Sequence, residues 1–218
     1  MKKLSVALFL LLLPSLALAQ TPVKKTVVIL AFEGVGALDF AGPFEVFTTA
    51  SELGEAPVFQ VYVAAEKPGP LRGHNGMVLQ PDCVLADCPP ADLQIISGGP
   101  GAMQAMNKPE LLDWIRKAAG RAERVVSVCT GAFLLAKAGL LDGLTVTTHQ
   151  AGIGYLGKLA PKAKMVSDRR FVDNGKIVTS AGMSAGIDAS LHLVAQLLGA
   201  ERAKATATWM EYDWKPQS

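Results

Sequence analysis

Cys129 stands where a buried-looking strand runs straight into a helix, in the segment Val125-Val126-Ser127-Val128-Cys129-Thr130-Gly131-Ala132. A side chain at such a junction projects from the carboxyl edge of a sheet in nucleophile-elbow geometry, and here it carries a thiol. Gly131 and Ala132 are the small neighbours that so tight a turn requires. The helix that follows aims its amino terminus at the sulfur, which favours thiolate. A buried structural cysteine opening a helix has the same pattern; the flanking glycine tilts the reading toward chemistry.

Two further segments should reach that edge. Gly98-Gly99-Pro100-Gly101 follows a neighbouring strand, and its main-chain N–H groups suit developing negative charge, although a plain tight turn looks the same. Asp39 follows the first strand, at the edge where doubly wound sheets bind ligands. Taken alone it reads as a helix N-cap. Convergence of the three loops is what makes a site. His149, after a strand at Thr145–Thr148, is a possible partner for the thiol. His74 and His192 read as structural, and no His or Cys spacing suits a metal, so no metal is expected. Gly152-Ile153-Gly154-Tyr155-Leu156-Gly157 matches G-x-G-x-x-G, but it comes late in the chain with no βαβ unit behind it. No dinucleotide or other cofactor is called for.

The elements that must position these residues alternate. Strands are expected at Thr26–Phe32, Val58–Ala65, Asp92–Ser97, Arg124–Val128 and Thr145–Thr148, with a short excursion at Met77–Leu79 and Val84–Leu85. Helices are expected at Asp39–Glu52, Pro109–Ala119, Thr130–Ala138, Ser184–Leu198 and Ala200–Met210, with Pro43 in a first turn. Asp173-Asn174-Gly175 between Arg170–Val172 and Lys176–Thr179 is a hairpin signal. Strands alternating with long helices predict one α/β domain, a doubly wound, mostly parallel sheet with helices on both faces.

The chain has 218 residues, half of them hydrophobic and 18% charged, which excludes disorder and a disulfide-stapled miniprotein. Met1-Lys2-Lys3, the apolar stretch from Leu4 to Leu13 and Ala17-Leu18-Ala19 describe a signal peptide over residues 1–19, too short to span a bilayer. The domain is then residues 20–218, exported to the periplasm or secreted, without a membrane anchor after cleavage. Without Lys2 and Lys3 it carries 19 basic and 19 acidic residues, so no nucleic-acid partner is expected. Three cysteines leave at least one thiol unpaired in a monomer. Cys83 and Cys88 can bridge if the chain turns between them, but the residues alone favour two small buried thiols.

Leu38-Asp39-Phe40-Ala41-Gly42-Pro43-Phe44-Glu45-Val46-Phe47 resembles the first helix of the ThiJ/PfpI superfamily, which is class I glutamine amidotransferase-like. So do Ser127 to Ala132, Ala138-Gly139-Leu140-Leu141-Asp142-Gly143, Thr147-Thr148-His149, Ala86-Asp87-Cys88-Pro89-Pro90 and Gly98-Gly99. Thr179-Ser180-Ala181-Gly182, Ala185-Gly186-Ile187-Asp188 and Glu211-Tyr212-Asp213 complete the set. The branches it most resembles are isonitrile hydratase and the amidotransferase-like domains of AraC-type regulators.

The resemblance implies a flavodoxin-like fold, a homodimer and a small-molecule substrate. It places the nucleophile on Cys129, its neighbour on Thr130 and the acid on Asp39, with Gly99 and Thr130 as main-chain donors. It implies attack of the thiolate on an isonitrile carbon and resolution of the thioimidate by water to an N-substituted formamide. Gln150 departs from the tryptophan usual in those branches and makes the pocket edge more polar. With no helix-turn-helix segment, a DNA-binding regulator is not expected. A ligand sensor without turnover, a redox or carbonyl-stress protein and a peptidase stand as alternatives.

Overall fold

The computed structural model describes residues 24–216, so the leader at residues 1–19 lies outside the described part. The strands are β1 (Lys25–Leu30), β2 (Phe59–Ala65), β3 (Leu71–Arg72), β4 (Val78–Leu79), β5 (Cys83–Val84), β6 (Leu93–Ile96), β7 (Arg124–Val128), β8 (Thr145–Val146), β9 (Lys164–Met165), β10 (Phe171–Asp173) and β11 (Ile177–Ser180). The helices are α1 (Ala37–Glu52), α2 (Ala102–Ala105), α3 (Pro109–Arg121), α4 (Gly131–Lys137), α5 (Ile153–Leu159), α6 (Ala185–Leu198) and α7 (Ala200–Trp209).

Seven strands form one sheet in the order β10-β11-β7-β6-β1-β2-β5. All neighbours are parallel except the β10–β11 hairpin. This is the doubly wound, flavodoxin-like architecture that the alternating pattern predicts. β6 is buried along its whole length and β7 in all but Arg124, as continuous apolar strands covered on both faces must be. α1 packs with α6 and α7, and α4 packs with α2, α3 and α5. Strand order reverses beside β1, whose chain crosses to β2 on one side while β6 flanks the other. Ligands bind at such switch points, outside the carboxyl ends of the strands. Asp39, Gly98 and Cys129 follow β1, β6 and β7, so the topology brings all three to that crevice.

Several local expectations need correction. The strand at Thr145–Thr148 is only Thr145–Val146, and it pairs with β9 outside the main sheet. Beyond Val146 the chain turns to side chains instead of a ladder, because the Thr147 N–H donates to Thr179 Oγ1 at 3.0 Å. The glycines of residues 152–157 hide a helix, α5, which packs through Tyr155 onto Phe133 of α4. Gly36, not Asp39, caps α1, so Asp39 lies inside the first turn. Pro43 is then interior rather than in a first turn, and its missing N–H leaves the Asp39 carbonyl without a helical donor.

Cys83 and Cys88 form a disulfide with Cα atoms 5.3 Å apart, and Cys129 is free. The favoured reading of two small buried thiols is therefore overturned. The chain turns after Val84, where Asp87 and Cys88 both donate to the Val84 carbonyl, and that turn folds Cys88 back onto β5.

Candidate active site

Cys129 has φ +56°, a left-handed conformation that costs a non-glycine residue energy and is held only when its surroundings over-determine it. Three bonds do so. The Cys129 N–H donates to the Ala181 carbonyl at 3.1 Å, and its own carbonyl accepts from the Thr148 hydroxyl at 2.6 Å and from the Ala132 N–H at 3.4 Å. The elbow is thus braced from the residue after β11, from the segment after β8 and from its own helix.

Asp39 is 2% exposed and Cys129 7%. The carboxyl and the thiol lie close enough to perturb each other, while Asp39 Oδ1 is buried with no hydrogen-bond partner among the described residues. Burial pushes the Asp39 carboxyl up to about 6, against the pull of the Cys129 thiol, the Met183 N–H and the nearby His149. Burial also pushes the thiol up to about 11, reinforced by the charge on Asp39. Above pH 6 the pair therefore holds its proton on sulfur and its charge on Asp39. The expectation that the α4 dipole makes a thiolate meets a stronger opposing effect, since desolvation and a neighbouring carboxylate both disfavour the charged sulfur.

The Thr130 and Met183 N–H groups both face the sulfur. Gly98 packs against the pair so closely that a Cβ there would lie 2.7 Å from the Thr130 nitrogen and 2.8 Å from Asp39 Oδ2. The Gly99 N–H donates to Thr130 Oγ1 at 2.9 Å, and that hydroxyl donates back to the Gly99 carbonyl at 2.9 Å. Gly99 therefore clamps the Thr130 side chain, and its N–H is occupied. His149 sits at the rim, its Nδ1 accepting from the Ala151 N–H at 3.3 Å. Its ring lies on Gly182, where a Cβ would come within 2.2 Å of it.

The sequence reading passes over two contributors. Met183, at φ +50° and 56% exposed, turns its N–H toward both Asp39 and Cys129. A main-chain donor leaves no side-chain signature. Arg170 donates to Asp188, Ser184 and Tyr212, fixing the segment that carries Met183. Asp188 and Tyr212 lie in the resembling motifs, and that was the available signal. A cleft of about 450 Å³, walled by His149, Gln150, Arg169, Ala181, Met183 and Ser184 among others, adjoins the pair through Ala181 and Met183 but is not lined by Cys129 or Asp39 themselves.

An elbow thiol paired with a buried acid at the switch point of a flavodoxin-like sheet defines a cysteine-centred member of this fold. The DJ-1/PfpI family model matches residues 25–196, and the chain belongs to that family. It is 37% identical over 183 residues to isonitrile hydratase from Pseudomonas putida, covering 84% of this chain and 76% of the relative. It is 30% identical over 174 residues to the HTH-type transcriptional regulator CdhR of Pseudomonas aeruginosa, covering 80% of this chain and 51% of the regulator. Among solved structures, a ThiJ/PfpI family protein from Pseudomonas syringae superposes with a TM-score of 0.80 at 25% identity, covering 95% of this chain and 83% of that one.

Proposed function

We propose that this protein is an exported cysteine-dependent hydratase that converts an isonitrile to an N-substituted formamide. The observation that carries the reading is the buried Cys129–Asp39 pair on a strained elbow, in a chain 37% identical to an isonitrile hydratase. Asp39, ionised above pH 6, takes the thiol proton as sulfur bonds to the isonitrile carbon, and returns it to that carbon to give a thioimidate. Asp39 then draws a proton from water as the water oxygen adds to the same carbon. Asp39 passes that proton to nitrogen, then takes the proton of the added hydroxyl and hands it to sulfur as the carbon–sulfur bond breaks, so the formamide leaves with the Cys129 thiol restored. The Thr130 and Met183 N–H groups stabilise negative charge on sulfur at each passage. The Cys83–Cys88 bridge supports export, since disulfides persist in oxidising compartments.

The regulator relative supports a second reading, a ligand-binding module without turnover. A peroxide sensor is less well supported, because a thiol pushed up to about 11 supplies little thiolate. One experiment separates them: formamide production from an aromatic isonitrile by the protein and by Cys129→Ala. Turnover that disappears in the variant supports the hydratase. Absence of turnover, with ligand binding indifferent to Cys129→Ala, supports the module.

A further inference from the structure

The cleft that adjoins the thiol through His149, Ala181 and Met183 is not the dry apolar chamber that an uncharged isonitrile alone needs. Its walls include Gln150, Ser167, Asp168, Arg169, Arg170 and Ser184. Arg170 is spoken for, since Asp188 and Tyr212 hold its guanidinium. Arg169 is exposed and makes no ion pair or side-chain hydrogen bond among the described residues. Asp168 also faces the cleft and is not bonded to Arg169. Asp188, which balances Arg170, is buried beneath it. The cleft surface thus shows two guanidiniums and one carboxylate. Its wall also holds His149, Ala181 and Met183, which border the Cys129–Asp39 pair: the Ala181 carbonyl accepts from the Cys129 N–H, and the Met183 N–H and His149 act on the Asp39 carboxyl.

These charges orient a substrate. An anionic group is repelled from Asp39 at the reacting end and drawn to Arg169 at the rim. Arg169 precedes β10, and Cys129 ends β7, with β11 between them. Two strand spacings of ~4.8 Å separate those strands, so a carboxylate about five bonds from the attacked carbon spans the gap. We propose that the natural substrate carries a carboxylate on the substituent of its reacting group, and that Arg169 is the residue that recognises it. The substrate class rests on the hydratase reading; the anion subsite does not.

The test uses two thiol reagents that differ only in charge, N-iodoacetylglycine and its amide, with the disulfide-intact protein, in which Cys129 is the free thiol. The ratio of the two alkylation rates is measured at low and at physiological salt, relative to the same ratio for a small free thiol. We expect the protein to favour the acid over the amide by roughly threefold to tenfold, as one charge across ~10 Å gives in partly screened solvent. Arg169→Gln should abolish that preference, Asp168→Asn should raise it, and salt should shrink it. Arg121→Gln, the same charge change at the far end of α3, should leave it alone. Thermal unfolding of each variant confirms that the fold is retained. Equal ratios in the protein and Arg169→Gln, or an equal effect of Arg121→Gln, overturn the subsite. Isonitrile turnover with no such preference sinks the subsite alone. A preference without isonitrile turnover keeps the subsite and removes the hydratase reading.

Discussion

The Thr148 hydroxyl donates to the Cys129 carbonyl at 2.6 Å, so a side chain from outside the main sheet holds the residue with the strained backbone. Thr148 is itself buried. Thr148→Val keeps the shape and removes the donor, leaving the Cys129 carbonyl with only the long bond from Ala132. Stability should fall by about 1–2 kcal/mol, the usual cost of an unsatisfied buried acceptor. The thiol should lose its alignment, lowering kcat about tenfold while KM moves little. Chemical denaturation and isonitrile kinetics on the same preparation check both. An unchanged kcat would show that the elbow holds without this brace.

Asp39→Asn should separate stability, reactivity and turnover. The folded state raises the carboxyl from 3.8 to about 6, so folding favours its protonated form. That stabilisation is present in full below pH 4 and is lost as the pH rises through 6. Replacing the acid by a neutral amide should therefore stabilise the protein at pH 7.5 by on the order of 1–3 kcal/mol, with the gain vanishing near pH 4. The variant also loses the charge that holds the thiol up, so iodoacetamide should alkylate Cys129 faster than in the wild type. Turnover should nevertheless fall about 100-fold or more, because the proton carrier is gone. Slower alkylation would mean that Asp39 activates the sulfur instead of restraining it.

The pH profile follows from the same pair. With its proton on sulfur and its charge on Asp39, the pair is ready for the addition step. kcat/KM for an isonitrile should rise as Asp39 ionises near pH 6 and then run level through pH 8, well below the thiol at about 11. The two groups are coupled, so the inflection belongs to the pair. A rate that climbs steadily to pH 9 would instead mark free thiolate as the limiting species.

Most of the frame was legible because it is written in strong patterns. The apolar strands at residues 26–32, 92–97 and 124–128 needed no tertiary knowledge, and the elbow followed from one of them meeting a helix at Cys129. The hairpin at Asp173-Asn174-Gly175 was equally plain, although both strands lie one residue later than the pattern suggested. What could not be read was decided by distant partners. Thr147 leaves its strand for Thr179, and Gly99 spends its N–H on Thr130. Met183 enters the site through its main chain, for which no side-chain type is a signal. The thiol's direction of shift was misjudged because helix position is local, whereas burial and Asp39 are properties of the folded site.

The disulfide gives the last prediction. Cys83 lies on β5, at the edge of the sheet and four strands from β7, which at ~4.8 Å per strand is about 19 Å from the elbow. It closes a short loop, so its contribution should be small, about 2 kcal/mol by the loss of loop entropy in the unfolded chain. For a domain of this size that corresponds to a fall of about 4–8 °C in Tm on reduction or in the Cys83→Ser, Cys88→Ser double variant. Isonitrile turnover at 25 °C should be unaffected, since no bond of the site runs through the loop. Differential scanning calorimetry and kinetics on oxidised protein, reduced protein and the double variant make the comparison. A large fall in turnover shared by the reduced protein and the double variant would tie the loop to the site across the sheet. A fall confined to the reduced sample would point to the reductant acting on the chemistry at Cys129, since the double variant lacks the bridge without it.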